Sequence, residues 1–332
     1  MNRKHRLLVI GTGSIGERHL RCFLTTGRAE VEFVEVNDSL RQTIAERYPS
    51  AKPLESIDDA LDQLPDLAVI CTPAQFHVPM ATRLAEAGIH LLIEKPLSIS
   101  LEGIPELLAA VARRNVRAGI AYVYRAHPIL TAMRQAIQSG RFGQPVELIA
   151  VGGQHFPTYR PAYRHIYYTK RETGGGAIQD AITHIFNAGE WLVGPMDRLV
   201  CDAAHQVLEG VQVEDTVHVL ARHGNVLANY SLNQYQAPNE STITVVCERG
   251  TCRFESHEHR WRWMTEPGSA WHDEVFPPLE RDTMFIAQAN QILDVVEAKA
   301  DPACSLAEGV QTLKVNLAAL TSLESGRWET IR

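Results

Sequence analysis

The sequence predicts an α/β chain with a doubly wound parallel sheet and a second α/β domain built on a mostly antiparallel sheet. Short apolar runs alternate with helical periodicity through the first third of the 332 residues. A glycine-rich turn joins the first apolar run to the first helix, and beyond residue 123 the strands alternate apolar and polar residues. We therefore expect two domains, over residues 1–122 and 123–332.

Composition excludes several classes of protein. The net charge of -7 argues against a general nucleic-acid binder. No stretch approaches the roughly 20 apolar residues that a membrane span needs. The basic segment from Met1 to Arg6 precedes a short apolar run, which we assign to the first strand and not to a signal peptide. Six scattered cysteines without a CxxC pair favour a reduced, cytoplasmic protein.

The first strand-turn-helix unit has the spacing of a dinucleotide site. An apolar strand over 7–10 meets the turn Gly11-Thr12-Gly13-Ser14-Ile15-Gly16, and a helix follows to about residue 26. Gly11 permits the tight turn, Gly13 lets a diphosphate approach the backbone, and Gly16 lets helix and strand pack closely. The free N–H groups at the helix start favour the diphosphate.

The next strand, over 31–36, carries an acid where a ribose reader is expected. Glu35 follows the glycines by about 20 residues, so its carboxylate can accept hydrogen bonds from the ribose hydroxyls. The whole unit therefore predicts dinucleotide binding more strongly than a GxGxxG turn by itself would.

Alternating elements continue along the first domain. We expect helices over 39–48, 57–64, 79–87 and 101–114, and strands over 67–71, 89–93 and 116–122. Ligands of such sheets bind beyond the carboxyl ends of the strands. Gly11, Glu35, Thr72 and Lys95 all lie at such ends, so one pocket can collect them.

The second domain begins with a helix over 128–139 and is then rich in strands. We expect strands over 146–151, 198–203, 215–222, 226–232, 241–247 and 250–255, and helices over 285–299 and 306–325. An exposed hairpin is expected around His257 and His259, which share a strand face without further ligands, so we predict no metal site.

Two groups of residues can carry proton chemistry. Lys95 ends a strand and precedes Pro96; it is a proton-exchanging or substrate-polarising lysine or a solvated one. Asp180 and His184 follow the glycines 174–176 and lie four apart, so they share a helix face. They form an acid-oriented imidazole or an ordinary surface pair, and the glycines favour the first interpretation because they allow a close approach by a backbone or a ligand.

Residues 154–171 contain no acid and are rich in basic and aromatic side chains. His155, Tyr159, Arg160 and Arg164 belong to this segment. It is either a substrate loop, in which arginines pair with a carboxylate or phosphate, or a basic loop at a subunit contact. The first interpretation favours an anionic substrate.

These pieces together resemble the Gfo/Idh/MocA oxidoreductases, the glucose–fructose oxidoreductase and inositol dehydrogenase family. The resemblance covers nearly the whole chain. The matching motifs are GTGSIG at 11–16, TPAQFH at 72–77, EKPL at 94–97, YRAHP at 124–128 and GGGAIQDAITH at 174–184. EKP after a Rossmann strand combined with DxxxH after a glycine cluster is a specific combination.

The resemblance implies particular roles for these residues. Lys95, Asp180 and His184 would be catalytic, and Arg125 would lie near nicotinamide or substrate. It also implies an open antiparallel sheet in the second domain, which in the family commonly forms a dimer or tetramer interface. NAD or NADP would bind across these residues: Gly11, Gly13, Ser14, Ile15, Gly16, Glu35, Thr72, Pro73, His77, Glu94 and Lys95.

Glu35 stands where many members of the family carry aspartate, and a carboxylate there favours NAD(H) by repelling a 2′-phosphate. If Asn37 or Asp38 faces the ribose instead, that preference weakens and Arg41 can help to bind a phosphate. We expect a dehydrogenase for a secondary alcohol of a sugar, sugar acid, cyclitol or nucleotide sugar. A redox-neutral enzyme that cleaves glycosides with retained NAD, and a non-catalytic NAD(H) sensor, are the alternatives.

Overall fold

The computed structural model describes residues 3–331. Met1, Asn2 and Arg332, including the start of the basic N-terminal segment, lie outside the described residues. The strands are β1 (His5–Ile10), β2 (Ala29–Val34), β3 (Lys52–Leu54), β4 (Leu67–Ile70), β5 (His90–Ile93), β6 (Ala118–Ile120), β7 (Pro145–Gly153), β8 (Arg198–Ala204), β9 (Thr216–His223), β10 (Val226–Asn233), β11 (Glu240–Cys247), β12 (Gly250–Glu255), β13 (Arg260–Met264), β14 (His272–Val275) and β15 (Glu329–Thr330).

The α-helices are α1 (Ser14–Thr26), α2 (Asp38–Arg47), α3 (Ile57–Leu61), α4 (His77–Glu86), α5 (Ile104–Arg113), α6 (Pro128–Gln138), α7 (Phe156–Tyr159), α8 (Thr183–Val193), α9 (Thr283–Val296) and α10 (Leu306–Ser325). A π-helical segment, Ala177–Ile182, leads directly into α8.

The first sheet has six parallel strands in the order β3-β2-β1-β4-β5-β6. β1 pairs with both β2 and β4, so the strand order reverses beside the glycine turn that follows β1. All four residues of β4 are buried, as expected of a strand covered by helices on both faces. The predicted doubly wound parallel sheet is confirmed.

Helix α9 belongs to the same compact unit as this sheet. The first unit takes in the chain up to Ala126 together with Glu280–Val310, and the second takes in His127–Leu279 with the residues from Gln311 onward. Leu293 of α9 shares a buried core with Phe23 of α1. The division expected at residue 123 places α9 in the second domain, whereas the structure groups it with the first unit. Periodicity identifies a helix over 285–299 but not the unit on which that helix packs.

The second sheet has nine strands in the order β14-β13-β12-β11-β7-β10-β9-β8-β15. Every pair is antiparallel except β7 with β10, which confirms a mostly antiparallel sheet. α8 packs against β7 and β10. On the other face Leu220 of β9 and Leu227 of β10 are 56% and 53% exposed.

The segment expected as an exposed hairpin is in part buried. His257 lies in a short 3₁₀ turn, and His259 adopts a left-handed backbone conformation that returns the chain into β13. Trp261 of β13 is 2% exposed, so the expectation of full exposure is wrong there. Its alternation with Arg260 and Arg262 places one side chain inward and its neighbours outward.

Candidate functional site

The glycine turn after β1 has the form that a diphosphate needs. Gly11 has a φ of +81°, and a Cβ there would lie 3.2 Å from the Cys71 carbonyl oxygen. A Cβ on Gly16 would lie 1.8 Å from the Gly11 oxygen, so helix and turn can meet only if residue 16 is glycine. Gly13 has open space around its Cβ position, and no side chain caps the start of α1. The N–H groups of this helix start are therefore available to an anion.

Glu35 lies immediately after β2 and reaches back to this turn. Its Oε2 accepts hydrogen bonds from the Thr12 N–H at 2.8 Å and the Thr12 hydroxyl at 3.1 Å. Its Oε1 accepts from the Asn37 N–H at 3.0 Å. The carboxylate is thus fixed beside the glycine turn, as a ribose-binding acid requires.

The other residues near the end of β2 have local partners. The Asn37 side chain accepts from the Leu40 N–H at 3.0 Å and so caps α2. Arg41 donates to the Glu35 carbonyl oxygen at 2.8 Å and pairs with Asp38, also at 2.8 Å. These contacts leave Glu35 as the acid that touches the glycine turn.

The residues after β4 and β5 meet at the imidazole of His77. His77 is buried, with Nε2 at 2.7 Å from the Thr72 carbonyl oxygen and Nδ1 at 3.0 Å from the Pro96 carbonyl oxygen. Burial lowers the pKa of His77, against the opposing effect of those carbonyls. A neutral imidazole carries a single N–H, so His77 donates to one of these two carbonyl oxygens and lies close to the other, between the two turns. Pro73 is exposed beside them.

Glu94 links the lysine turn to the glycine helix. Its Oε1 lies 2.7 Å from Nε2 of His19 in α1, and its Oε2 accepts the Lys95 backbone N–H at 3.0 Å. His19 and Glu94 are both buried. Lys95 follows β5 and is half-buried. Its backbone N–H is held by Glu94, whose carboxylate also contacts α1, the helix that carries Gly16.

In the second unit, Asp180 lies in the π-helical segment and His184 in the first turn of α8. Asp180 is 2% exposed, and its Oδ1 accepts from the Tyr167 hydroxyl at 2.7 Å. Its Oδ2 lies 3.6 Å from Nη1 of Arg160, and the carboxylate raises the pKa of that guanidinium. His184 is half-buried.

The π-helical turn corrects the expectation of a regular α-helix from the glycines onward. A π-helix has i→i+5 hydrogen bonds, and such turns are frequent at functional sites. Its cause is not visible in the sequence periodicity, because Ile178 and Ile182 are buried as an amphipathic α-helix would also bury them.

The glycines before this helix are required by protein atoms. A Cβ on Gly175 would lie 2.2 Å from the Tyr168 carbonyl oxygen, and a Cβ on Gly176 would lie 2.4 Å from a carboxylate oxygen of Glu214. Of the two reasons for a close approach, contact with other parts of the chain is the one that the structure displays.

The predicted substrate residues fall in different places. Arg125 is buried in the first unit, where it donates to Glu308 at 2.8 Å. In the second unit, Arg160 and Tyr159 are exposed, and Nδ1 of His155 lies 2.8 Å from the Thr158 hydroxyl.

Carboxylates from elsewhere in the chain pair with the arginines of the acid-free segment. Arg164 pairs with Glu209 and Arg171 with Glu214, each at 3.1 Å, while Arg160 lies near Asp180. The positive charge that favoured an anionic substrate is therefore partly neutralised within the protein. Sequence reasoning missed Tyr167, Glu214 and His19, because spacing along the chain carries no signal for contacts between distant segments.

Across residues 3–331 no group of three or more His, Cys, Asp or Glu side chains is placed to hold a metal ion. Over the same residues, no helix has both the length and the apolar character needed to cross a membrane.

Two family profiles match the chain. The profile described as an oxidoreductase family with an NAD-binding Rossmann fold matches residues 5–122, and that of the GFO/IDH/MocA C-terminal domain matches residues 130–253. The described glycine turn and Glu35 lie inside the first match, and they fit the NAD that this profile names. The catalytic candidates Asp180 and His184 lie inside the second.

Curated relatives and solved structures agree with these profiles. Inositol 2-dehydrogenase of Rhizobium meliloti (strain 1021) is 29% identical over 193 residues, 57% of this chain and 55% of that protein. Inositol 2-dehydrogenase of Corynebacterium glutamicum (strain R) is 27% identical over 279 residues, 79% of this chain and 77% of that protein.

Levoglucosan dehydrogenase in complex with NADH shares the fold at a TM-score of 0.90 and 18% identity, over 99% of this chain and 100% of that one. The WlbA dehydrogenase of Bordetella pertussis, in complex with NADH and UDP-GlcNAcA, does so at 0.86 and 24% identity, over 100% and 99%. The chain is a member of the Gfo/Idh/MocA family of NAD-binding oxidoreductases.

Proposed function

We propose that the protein is an NAD-dependent dehydrogenase that oxidises a secondary alcohol of a sugar or cyclitol, with sugar acids and nucleotide sugars as further members of the substrate class. The observation that carries this proposal is the joint presence of Lys95, Asp180 and His184 in a chain of this family. Relatives named inositol 2-dehydrogenase and UDP-N-acetylglucosamine 3-dehydrogenase support a polyhydroxylated substrate.

The chemistry divides between the cofactor and the side chains. The turn at 11–16 and Glu35 would hold NAD, which would supply the hydride acceptor for the carbinol carbon. His184 takes the hydroxyl proton as a general base, and Asp180 orients its imidazole. Lys95 stabilises the negative charge that develops on the substrate oxygen. Exchanging the roles of Lys95 and His184 gives the same proton balance.

We further propose NAD(H) as the preferred cofactor. Glu35 is bound to Thr12 of the glycine turn, so a 2′-phosphate on the ribose would approach a carboxylate. Arg41, the cation that could offset this repulsion, is already bonded to the Glu35 carbonyl oxygen and to Asp38. NADP therefore remains the less favoured alternative.

Assembly and location complete the proposal. We expect a homodimer or homotetramer formed through the sheet face that carries Leu220 and Leu227, because large exposed apolar patches mark contact surfaces. All six cysteines are buried free thiols, which fits a reduced cytoplasmic environment. Nucleic acid and membranes are not among the proposed partners.

The first experiment is a fluorescence titration of the purified protein with NADH and NADPH, followed by a screen of sugars and cyclitols with NAD. Lys95→Ala is expected to lower kcat by at least 100-fold, since charge stabilisation at the reacting oxygen is typically worth about 10²–10³. Lys52→Ala, a surface lysine paired with Glu32 at 3.0 Å, is the matched control.

The outcomes separate the alternatives. Full turnover by the Lys95→Ala variant contradicts the proposed chemistry. Net turnover without added NAD, by protein that retains its cofactor, favours the glycoside-cleaving alternative. Tight NADH binding without turnover of any polyol favours the sensor, and binding of neither nucleotide contradicts all three functions.

A further inference from the structure

Glu214, two residues before β9, is a buried carboxylate with partners on both sides of the glycine segment 174–176. Its Oε1 accepts the Ile178 backbone N–H at 3.1 Å. Its Oε2 lies 3.1 Å from both Nε and Nη2 of Arg171. Its own carbonyl oxygen accepts the Ala177 N–H at 2.9 Å. One residue thus binds the segment before the turn and the first two amides after it.

The glycine segment 174–176 is shaped around this carboxylate. A Cβ at residue 176 would lie 2.4 Å from Glu214 Oε1, and Gly176 has a φ of +90°. Any side chain there would displace the carboxylate as well as strain the backbone. Gln179 adds a further link, because its Nε2 donates to the Arg171 carbonyl oxygen at 3.0 Å.

Burial of this charge is compensated by its partners. Glu214 is 2% exposed, and an isolated carboxylate at that depth would be costly. The guanidinium of Arg171 supplies the opposite charge, and the Ile178 N–H is one of the orphan donors at a helix start, where a negative charge is favoured. The carboxylate is therefore held at one position relative to the helix.

We propose that Glu214 is a positioning residue that sets the placement of Asp180 and His184 and thereby the rate of the chemical step, without touching substrate or cofactor. Asp180 lies two residues beyond the anchored amide of Ile178, and His184 follows in the next turn. A shift of about 1 Å at a reacting group can cost on the order of 10²-fold in rate. This inference rests on the proposed dehydrogenase function.

The test compares Glu214→Gln, Glu214→Asp, Arg171→Gln and the Glu214→Gln/Arg171→Gln double variant. Glutamine keeps the volume and one acceptor for the Ile178 N–H but loses the charge pair. We expect kcat to fall 10- to 100-fold. The KM for NAD should stay within twofold, because the glycine turn at 11–16, proposed to bind NAD, lies in the other unit. Aspartate should restore part of the rate, and the double variant should lose no more than Glu214→Gln.

Glu255→Gln is the matched control, since Glu255 forms a comparable pair with Arg260 at 2.7 Å in the same unit, at the end of β12. Unchanged kcat in Glu214→Gln overturns the proposal. A loss of kcat that merely accompanies a loss of Tm, and that Glu255→Gln shows to the same extent, also overturns the proposal.

Amide hydrogen exchange gives a readout that does not depend on turnover. Exchange over residues 177–184 should accelerate at least tenfold in Glu214→Gln and not in Glu255→Gln. Failure of the wild-type protein to oxidise any polyol would contradict the proposed function, and hydrogen exchange would then decide the placement role. Unaltered exchange in that segment overturns it.

Discussion

Replacing Glu35 by glutamine tests how the protein distinguishes NADH from NADPH. The change keeps the size of the side chain and removes its charge. Glu35 accepts hydrogen bonds from the Thr12 N–H, the Thr12 hydroxyl and the Asn37 N–H. A carboxylate offers about four acceptor positions, so one position on Oε1 remains for a ribose hydroxyl.

The expected loss of NADH affinity follows from this one acceptor position on Oε1. A hydrogen bond to a charged acceptor contributes about 1.5–3 kcal/mol, so the variant should bind NADH roughly 10- to 100-fold more weakly. A 2′-phosphate about 5 Å from the carboxylate meets a repulsion of about 3 kcal/mol per unit charge at an effective dielectric constant of about 20. Removing this repulsion should favour NADPH, and the ratio of the two dissociation constants should fall by at least about 100-fold.

The assay is a fluorescence titration of wild type and variant with each nucleotide at fixed ionic strength. Glu30→Gln is the matched control, because Glu30 is an exposed residue of the same strand and its replacement alters the net charge equally. An equal change of the ratio in both variants would show that the selectivity is a property of the overall charge. Wild-type preference for NADPH would refute the assignment of Glu35 to the ribose.

Three further predictions follow from the second unit. Tyr167→Phe removes the 2.7 Å hydrogen bond to Asp180, which should cost about 1–2 kcal/mol of transition-state stabilisation. In steady-state kinetics kcat should therefore fall about 5- to 30-fold, and an unaltered kcat would contradict this prediction. Burial lowers the pKa of His127 to about 4 from 6.5, so the unfolded chain binds more protons between these values and stability should fall as the pH drops from 6.5 towards 4. His127→Gln should flatten that part of the Tm–pH curve, and an equally steep curve would argue against the buried neutral imidazole. Leu220→Glu should shift the mass measured by light scattering towards the monomer, whereas Val207→Glu, at a position that is also exposed, should not.

The first sheet and its glycine turn were predictable because their signals are local. Short apolar runs such as 67–70, set between helical segments, are typical of a strand covered on both faces. The spacing of Gly11 and Gly16 indicates which backbone segments must touch. The strand over 250–255 and the helix over 306–325 have the predicted bounds. These features depend on neighbouring residues along the chain, so their periodicity contains the information.

The supports of the candidate site were not predictable for the opposite reason. Tyr167 meets Asp180 across 13 positions, Glu214 meets Ile178 across 36, and His19 meets Glu94 across 75. Nothing in the spacing of these residues distinguishes them from solvated polar side chains. The family resemblance named the reactive residues but not the groups that hold them.

The pairing of α9 with α1 has a consequence for synthesis on the ribosome. Arg21 binds Asp282 at 2.6 Å across 261 positions, and Phe23 shares its core with residues of α9. At about 5–20 residues per second, a nascent chain waits roughly 13–50 s between making α1 and making its partner. During that interval the apolar face of α1, which α9 covers in the folded protein, stays exposed. The nucleotide-binding unit is therefore among the last parts of the protein to complete its fold, although its first residues leave the ribosome earliest.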